Sequence, residues 1–188
     1  SEEVISETKQ GKAGSAELPD TEDNKEREEA ESIYAEVISS YIEHWKKYQN
    51  DGDFQALRDD YKYEISDLTY GGYNILLMDQ DNLSDAGYKI EDIDGDGTSE
   101  LIIASKNSSL IYDLYTLVNG KPKLLLSSWD RCDVSYCGSY FCRDGSDGAA
   151  YHGTERYVLK AGDMQLIDDV YTEPSEEDYE VLNYFYSK

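Results

Sequence analysis

Residues 90–104, Ile-Glu-Asp-Ile-Asp-Gly-Asp-Gly-Thr-Ser-Glu-Leu-Ile-Ile-Ala, place the hardest constraint on what this chain can fold into. Asp92, Asp94 and Asp96 alternate along the stretch, and an apolar run that has to be buried follows at once. Like charges crowded at one end of a core strand repel one another, so the fold must either separate them or share a counter-ion among them. A tight turn aims the three carboxylates at one centre, and Gly95 and Gly97 permit the backbone angles such a turn demands. Thr98 offers its backbone carbonyl, and Glu100 stands where a further carboxylate closes the shell, directly or through water. A hard cation with six to eight oxygen ligands fits this set, and Ca²⁺ tolerates its irregular geometry better than Mg²⁺. The expected site is one Ca²⁺ on Asp92, Asp94, Asp96, Thr98 and Glu100. All the carboxylates come from one short loop, so the ion's expected role is structural and not catalytic. The spacing opens like an EF-hand loop, but Ile103 occupies the twelfth position, where a bidentate glutamate belongs. The flanks "YKI" and "LIIAS" read as strands, which makes this a strand–loop–strand site. The plain alternative is an Asp/Gly-rich turn that binds nothing.

Elsewhere the apolar periodicity divides the chain. Residues 1–23 are rich in Glu, Ser, Gly and Lys without periodicity, and read as a flexible acidic tether. Over residues 24–49, Tyr34, Val37, Ile38, Tyr41, Ile42, Trp45 and Tyr48 recur at three- and four-residue steps, one stripe of a helix that Asn50-Asp51-Gly52 stops. The stretch 54–67 is ambiguous. After Gly71-Gly72, short runs of Tyr, Ile, Leu and Val alternate with turn residues, as in an antiparallel meander. The clearest unit is "IYDLYTLV" and "KPKLLLS" around Asn119-Gly120, a type I′ hairpin that sets Pro122 opposite Leu117. Further strands are expected over residues 132–136, 139–143, 151–160 and 164–171. Pro174-Ser175 then opens a short helix with Ser175 as N-cap. The expected fold class is α+β: a long N-terminal amphipathic helix on an antiparallel meander sheet of six to eight strands, with a short C-terminal helix. Residues 24–188 form its single domain.

"DIDGDGTSEL" resembles the calcium loop of the FG-GAP and VCBS type, D-x-D-G-D-G-x-x-[DE]-L. Together with the later "IYDLYTLVNGK", it is similar to a group of secreted or lipid-anchored bacterial proteins in which a helix precedes a single such loop and a Tyr-rich hairpin follows it. The resemblance implies an extracytoplasmic setting and carries no enzymatic activity with it. One copy of the loop does not make a propeller.

Composition narrows the function classes. The chain has 188 residues with 41 acidic against 17 basic ones, a net charge of -24. That field repels phosphate polymers and anionic lipid headgroups and attracts cations, so nucleic acid is excluded as a partner. A chain that opens with Ser1 is expected to have lost an upstream segment. A lipid anchor ahead of the tether is the one membrane attachment this reading allows. Cys132, Cys137 and Cys142 lack a C-x-x-C pair and do not suit zinc. A three-residue turn at Tyr136-Cys137-Gly138 would set Cys132 opposite Cys142, at a non-hydrogen-bonded site where α-carbons lie about 4.5 Å apart. The expected disulfide is therefore Cys132–Cys142, with Cys137 free. No G-x-S-x-G or comparable context accompanies the two histidines, and His152 reads as a half-exposed strand residue. The expectation is a non-enzymatic, calcium-stabilised domain of the bacterial cell surface. The alternative is a Tyr-rich module that binds a glycan or protein there, with a hydrolase in third place.

Overall fold

The computed structural model describes residues 21–51, 86–129, 131–146, 148, 151–175 and 182–188. Most of the tether, the ambiguous stretch 54–67 and the start of the expected C-terminal helix lie outside these residues. Strands Ala86–Glu91 (β1) and Glu100–Ser105 (β2) flank the aspartate loop and pair antiparallel from Ala86↔Ser105 to Glu91↔Glu100. Leu110–Val118 (β3) lies on the other side of β2 and forms a hairpin with Lys121–Ser127 (β4). Asn119 and Gly120 both take positive φ, 53° and 72°, which a type I′ turn requires, and Pro122 faces Leu117. Cys132–Tyr136 (β5), Phe141–Ser146 (β6), His152–Lys160 (β7), Asp163–Pro174 (β8) and Leu182–Ser187 (β9) continue the sheet. Every pairing is antiparallel, and the strand order is β1-β2-β3-β5-β6-β7-β8-β9 with β4 on β3.

The expected α+β architecture with two helices does not hold. The described residues form a mostly β fold, a nine-stranded sheet with one helix, Thr21–Asp51 (α1). Among the described side chains of α1, those between Ala30 and Tyr41, about three turns, reach the core. Ala30, Tyr34, Val37 and Tyr41 are buried, whereas Ile42, on the same expected stripe, is 46% exposed. The second helix fails for a different reason. Ser175 and the acids after it carry a helix-start signal, but Leu182–Ser187 is a strand that pairs with β8 from Pro174↔Leu182 to Asp169↔Ser187. Six antiparallel pairings over Leu182–Ser187 rule out a helix that runs on to the end of the chain, while residues 176–181 lie outside those described.

The sheet's two faces bury two clusters. Leu101 and Ile103 face α1 and pack with Tyr112 and Tyr115. Ile102 and Ala104 point the other way, toward Ile111, Leu114, Leu126, Val134, Phe141 and Leu159. The three-residue spacing between Tyr112 and Tyr115 is possible because the β2–β3 register shifts at Ile103/Ala104, leaving Tyr112 as an extra residue aimed at the helix. Burying each of these side chains contributes roughly 1.5–3 kcal/mol. Where β4 gives way to β5 beside β3, the buried Ser128 joins the strands: its hydroxyl donates to the Ile111 carbonyl (2.6 Å) and accepts from the Val134 N–H (2.7 Å).

The β5–β6 hairpin corrects the cysteine expectation. Its turn is a two-residue loop, Gly138-Ser139, closed by the Cys137 N–H donating to the Tyr140 carbonyl at 2.9 Å, with Gly138 at φ 85°. A glycine at the first central position is the type II′ signature. Relative to the expected three-residue turn the register moves, so that Cys132 faces Gly145 and Cys142 faces Ser135. All three cysteines are free, and Cys132 and Cys142 are not opposite each other.

Candidate metal centre

The loop between β1 and β2 is built from its own carboxylates. Asp92 Oδ1 accepts the N–H groups of Gly95 (2.8 Å) and Asp96 (3.2 Å), and its Oδ2 accepts that of Gly97 (2.9 Å). Asp94 Oδ1 accepts the Asp96 N–H at 3.1 Å, and Asp96 Oδ1 accepts the Thr98 N–H at 2.7 Å. Side chains of this length bond readily to backbone a few residues on, which is why aspartate suits such a turn. Gly95 and Gly97 sit at φ 76° and 89°, the left-handed region the sequence reading required of them.

Three of the expected ligands converge. One oxygen each from Asp92, Asp94 and Glu100 lie within 4.8 Å of one another. Cations bound at 2.3–2.6 Å, as Ca²⁺ is, hold opposed oxygens up to about 5 Å apart, so the cluster fits that sphere without selecting Ca²⁺ by itself. Asp96 is exposed and outside the cluster, because its carboxylate is turned onto the Thr98 N–H. Thr98 lies on the same turn and contributes that N–H.

Glu100 has the most constrained carboxylate of the three. It is fully buried, yet both oxygens are bonded: Oε1 accepts from the Thr116 hydroxyl at 2.9 Å and Oε2 from the Ile93 N–H at 3.0 Å. Burial pushes its pKa from 4.5 up to about 7; the two hydrogen bonds oppose the rise, and the negative charges of Asp94 and Asp96 add to it. The Tyr34 hydroxyl on α1 is raised as well, first by burial and then by the charge of Glu100.

Contacts from distant elements, invisible in the loop's sequence, fix the site in the fold. Asp94 Oδ2 accepts the N–H of Ala161 at 2.7 Å, across 67 residues, and so holds the β7–β8 turn. Ala161 (φ 51°) and Gly162 (φ 72°) form that turn, and Gly162 lies against the Thr116 side chain that bonds Glu100. From the other side, the Tyr34 hydroxyl donates to the Ser99 carbonyl at 2.9 Å. The centre therefore joins α1, the β1–β2 loop, β3 and the β7–β8 turn. His152, in contrast, is exposed and pairs with Asp144 at 2.8 Å, at the end of β7 opposite the turn that meets the loop.

No protein-family model matches the chain, and no curated protein or solved structure matches it. Among the described residues, no helix is long and apolar enough to cross a membrane.

Proposed function

We propose that this protein is a non-enzymatic, calcium-stabilised extracytoplasmic domain, in which one Ca²⁺ at Asp92, Asp94 and Glu100 ties the β1–β2 loop to the rest of the sheet. The observation that carries the reading is Glu100. A fully buried carboxylate whose pKa is raised, with two more carboxylates converging on it, is a costly arrangement that a bound cation relieves. Asp96 and the Thr98 carbonyl complete the proposed shell, directly or through water. The resemblance of "DIDGDGTSEL" to FG-GAP-type loops supports Ca²⁺ over other cations, and the extracellular setting supplies it at the concentrations a weak site needs, Kd about 10⁻⁴ to 10⁻³ M. Calcium at a hundredfold excess over Kd stabilises such a fold by about 2.7 kcal/mol. The test is thermal melting of wild type and Asp94→Ala in calcium and in chelator. Wild type should melt higher in calcium and the variant should show no calcium-dependent shift; identical shifts in both proteins would reject the reading.

A second reading, a Tyr-rich module for a cell-surface glycan or protein, draws support from a cavity of about 300 Å³ beside β6 and β7. Trp129, Tyr151 and Tyr171 line it together with the Arg143–Glu155 pair, bonded at 2.8 Å. Flat aromatic faces beside paired polar groups suit a sugar ring. Binding on a glycan array that persists in Asp94→Ala would favour this reading as an additional role.

A further inference from the structure

The two-residue turn of the β5–β6 hairpin brings together two thiols that serve neither the core nor the metal centre. Cys142 faces Ser135, and Cys137 lies two residues beyond Ser135 on the same side of the hairpin, so the two cysteines are diagonal neighbours. The Cys137 thiol donates to Cys142 Sγ at 3.2 Å. Cys137 is exposed and Cys142 half-buried, so both are within reach of a solute. The turn holds them there: the Tyr136 hydroxyl donates to the Gly138 carbonyl at 2.9 Å, and the Tyr136 and Phe141 rings pack at 5.0 Å. Cys132 is kept apart from this pair, buried on β5 opposite Gly145, where an added Cβ would meet its Sγ at 3.3 Å.

We propose that Cys137 and Cys142 form a dithiol site that low-molecular-weight disulfides oxidise to an intramolecular cystine. In the first step the exposed Cys137 thiolate attacks one sulfur of the small disulfide. The new Cys137 S–S bond forms as the old one breaks, and one small thiolate leaves and takes up a proton. In the second step Cys142 gives its proton to solvent and its sulfur attacks Cys137 Sγ, expelling the second small thiolate. Two protein thiols are oxidised and one disulfide is reduced to two thiols, so atoms and electrons balance. Cys137 is the more exposed of the two and is therefore the attacking group, while burial pushes the Cys142 thiol up.

The reduced 188-residue chain is incubated with excess hydroxyethyl disulfide, a neutral oxidant chosen because the net charge of -24 repels anionic ones. Remaining thiols are alkylated, and the protein is cut with chymotrypsin. Cleavage after Tyr136, Tyr140 and Phe141 puts each cysteine on its own fragment. The expected product links the Cys137 and Cys142 fragments, leaves Cys132 alkylated, and reverts in dithiothreitol. A link through Cys132, three alkylated cysteines, or a persistent mixed disulfide on wild-type Cys137 would overturn the proposal. Cys142→Ser should instead accumulate the mixed disulfide on Cys137, and a variant that stays unmodified there would overturn the assigned order of attack.

Discussion

Replacing Glu100 with Gln should have opposite effects on stability with and without calcium. The substitution keeps the shape and removes the charge. With its amide oxygen toward the Ile93 N–H and its NH₂ toward the Thr116 hydroxyl, which rotates to accept, Gln satisfies both partners of the native carboxylate. In chelator the native charge is a liability. Because the folded pKa is raised, the folded state holds its proton to higher pH than the unfolded chain, and stability falls as pH rises through the window from 4.5 to about 7. Above that window the loss is complete, and at about 1.4 kcal/mol per pH unit it amounts to about 3 kcal/mol. Glu100→Gln carries no such loss. At pH 8 in chelator it should exceed wild type by up to that amount, a melting-temperature gain of about 2–4 °C per kcal/mol. At pH 4 the two should differ little. In saturating calcium the order inverts, because wild type gains the bound ion and the variant has lost a ligand. Differential scanning calorimetry at pH 4 and pH 8, with calcium and with chelator, gives all four values. A variant less stable than wild type in chelator at pH 8 would refute the claim that Glu100 is held ionised at a cost.

Tyr34→Phe should lower stability by about 1 kcal/mol, since it removes the hydroxyl bond from α1 to the Ser99 carbonyl; denaturant titration measures it. Gly162→Ala meets no close contact, its Cβ lying 3.7 Å from Thr116 Oγ1, but sits at φ 72°, and should cost about 1 kcal/mol by the same assay. A cost near zero at Gly162 would show that the β7–β8 turn relaxes away from Asp94.

The parts of this account that could be read in the sequence are those set by neighbours along the chain. The strands on either side of the loop, the Asn119-Gly120 turn and the positive φ of Gly95 and Gly97 follow from short-range rules, and all are present. Alternation alone makes the three aspartates equivalent, whereas in the structure Asp96 turns onto the Thr98 N–H and Asp92 and Asp94 converge with Glu100; which one turns back depends on the path of the loop. The turn is both shorter and further along the chain than expected, at Gly138-Ser139, which moves the partner of Cys132 from Cys142 to Gly145 and is why Cys142 meets Cys137 and not Cys132. The strand at Leu182–Ser187 is set by pairing with β8, a long-range partner that the helix-start signal at Ser175 does not reveal. The anchors of the site, Ala161, Thr116 and Tyr34, reach it from distant elements. Their only trace in the sequence is ordinary: a turn, a strand threonine and a tyrosine on a helical stripe.

Calorimetric titration of metal-stripped protein with Ca²⁺ at pH 8 tests the central claim most directly. The account predicts one site with Kd about 10⁻⁴ to 10⁻³ M, weakening as the pH falls below about 7, where Glu100 takes up a proton. No binding heat at pH 8, together with a melting temperature that calcium leaves unchanged, would mean that the three carboxylates only close a turn.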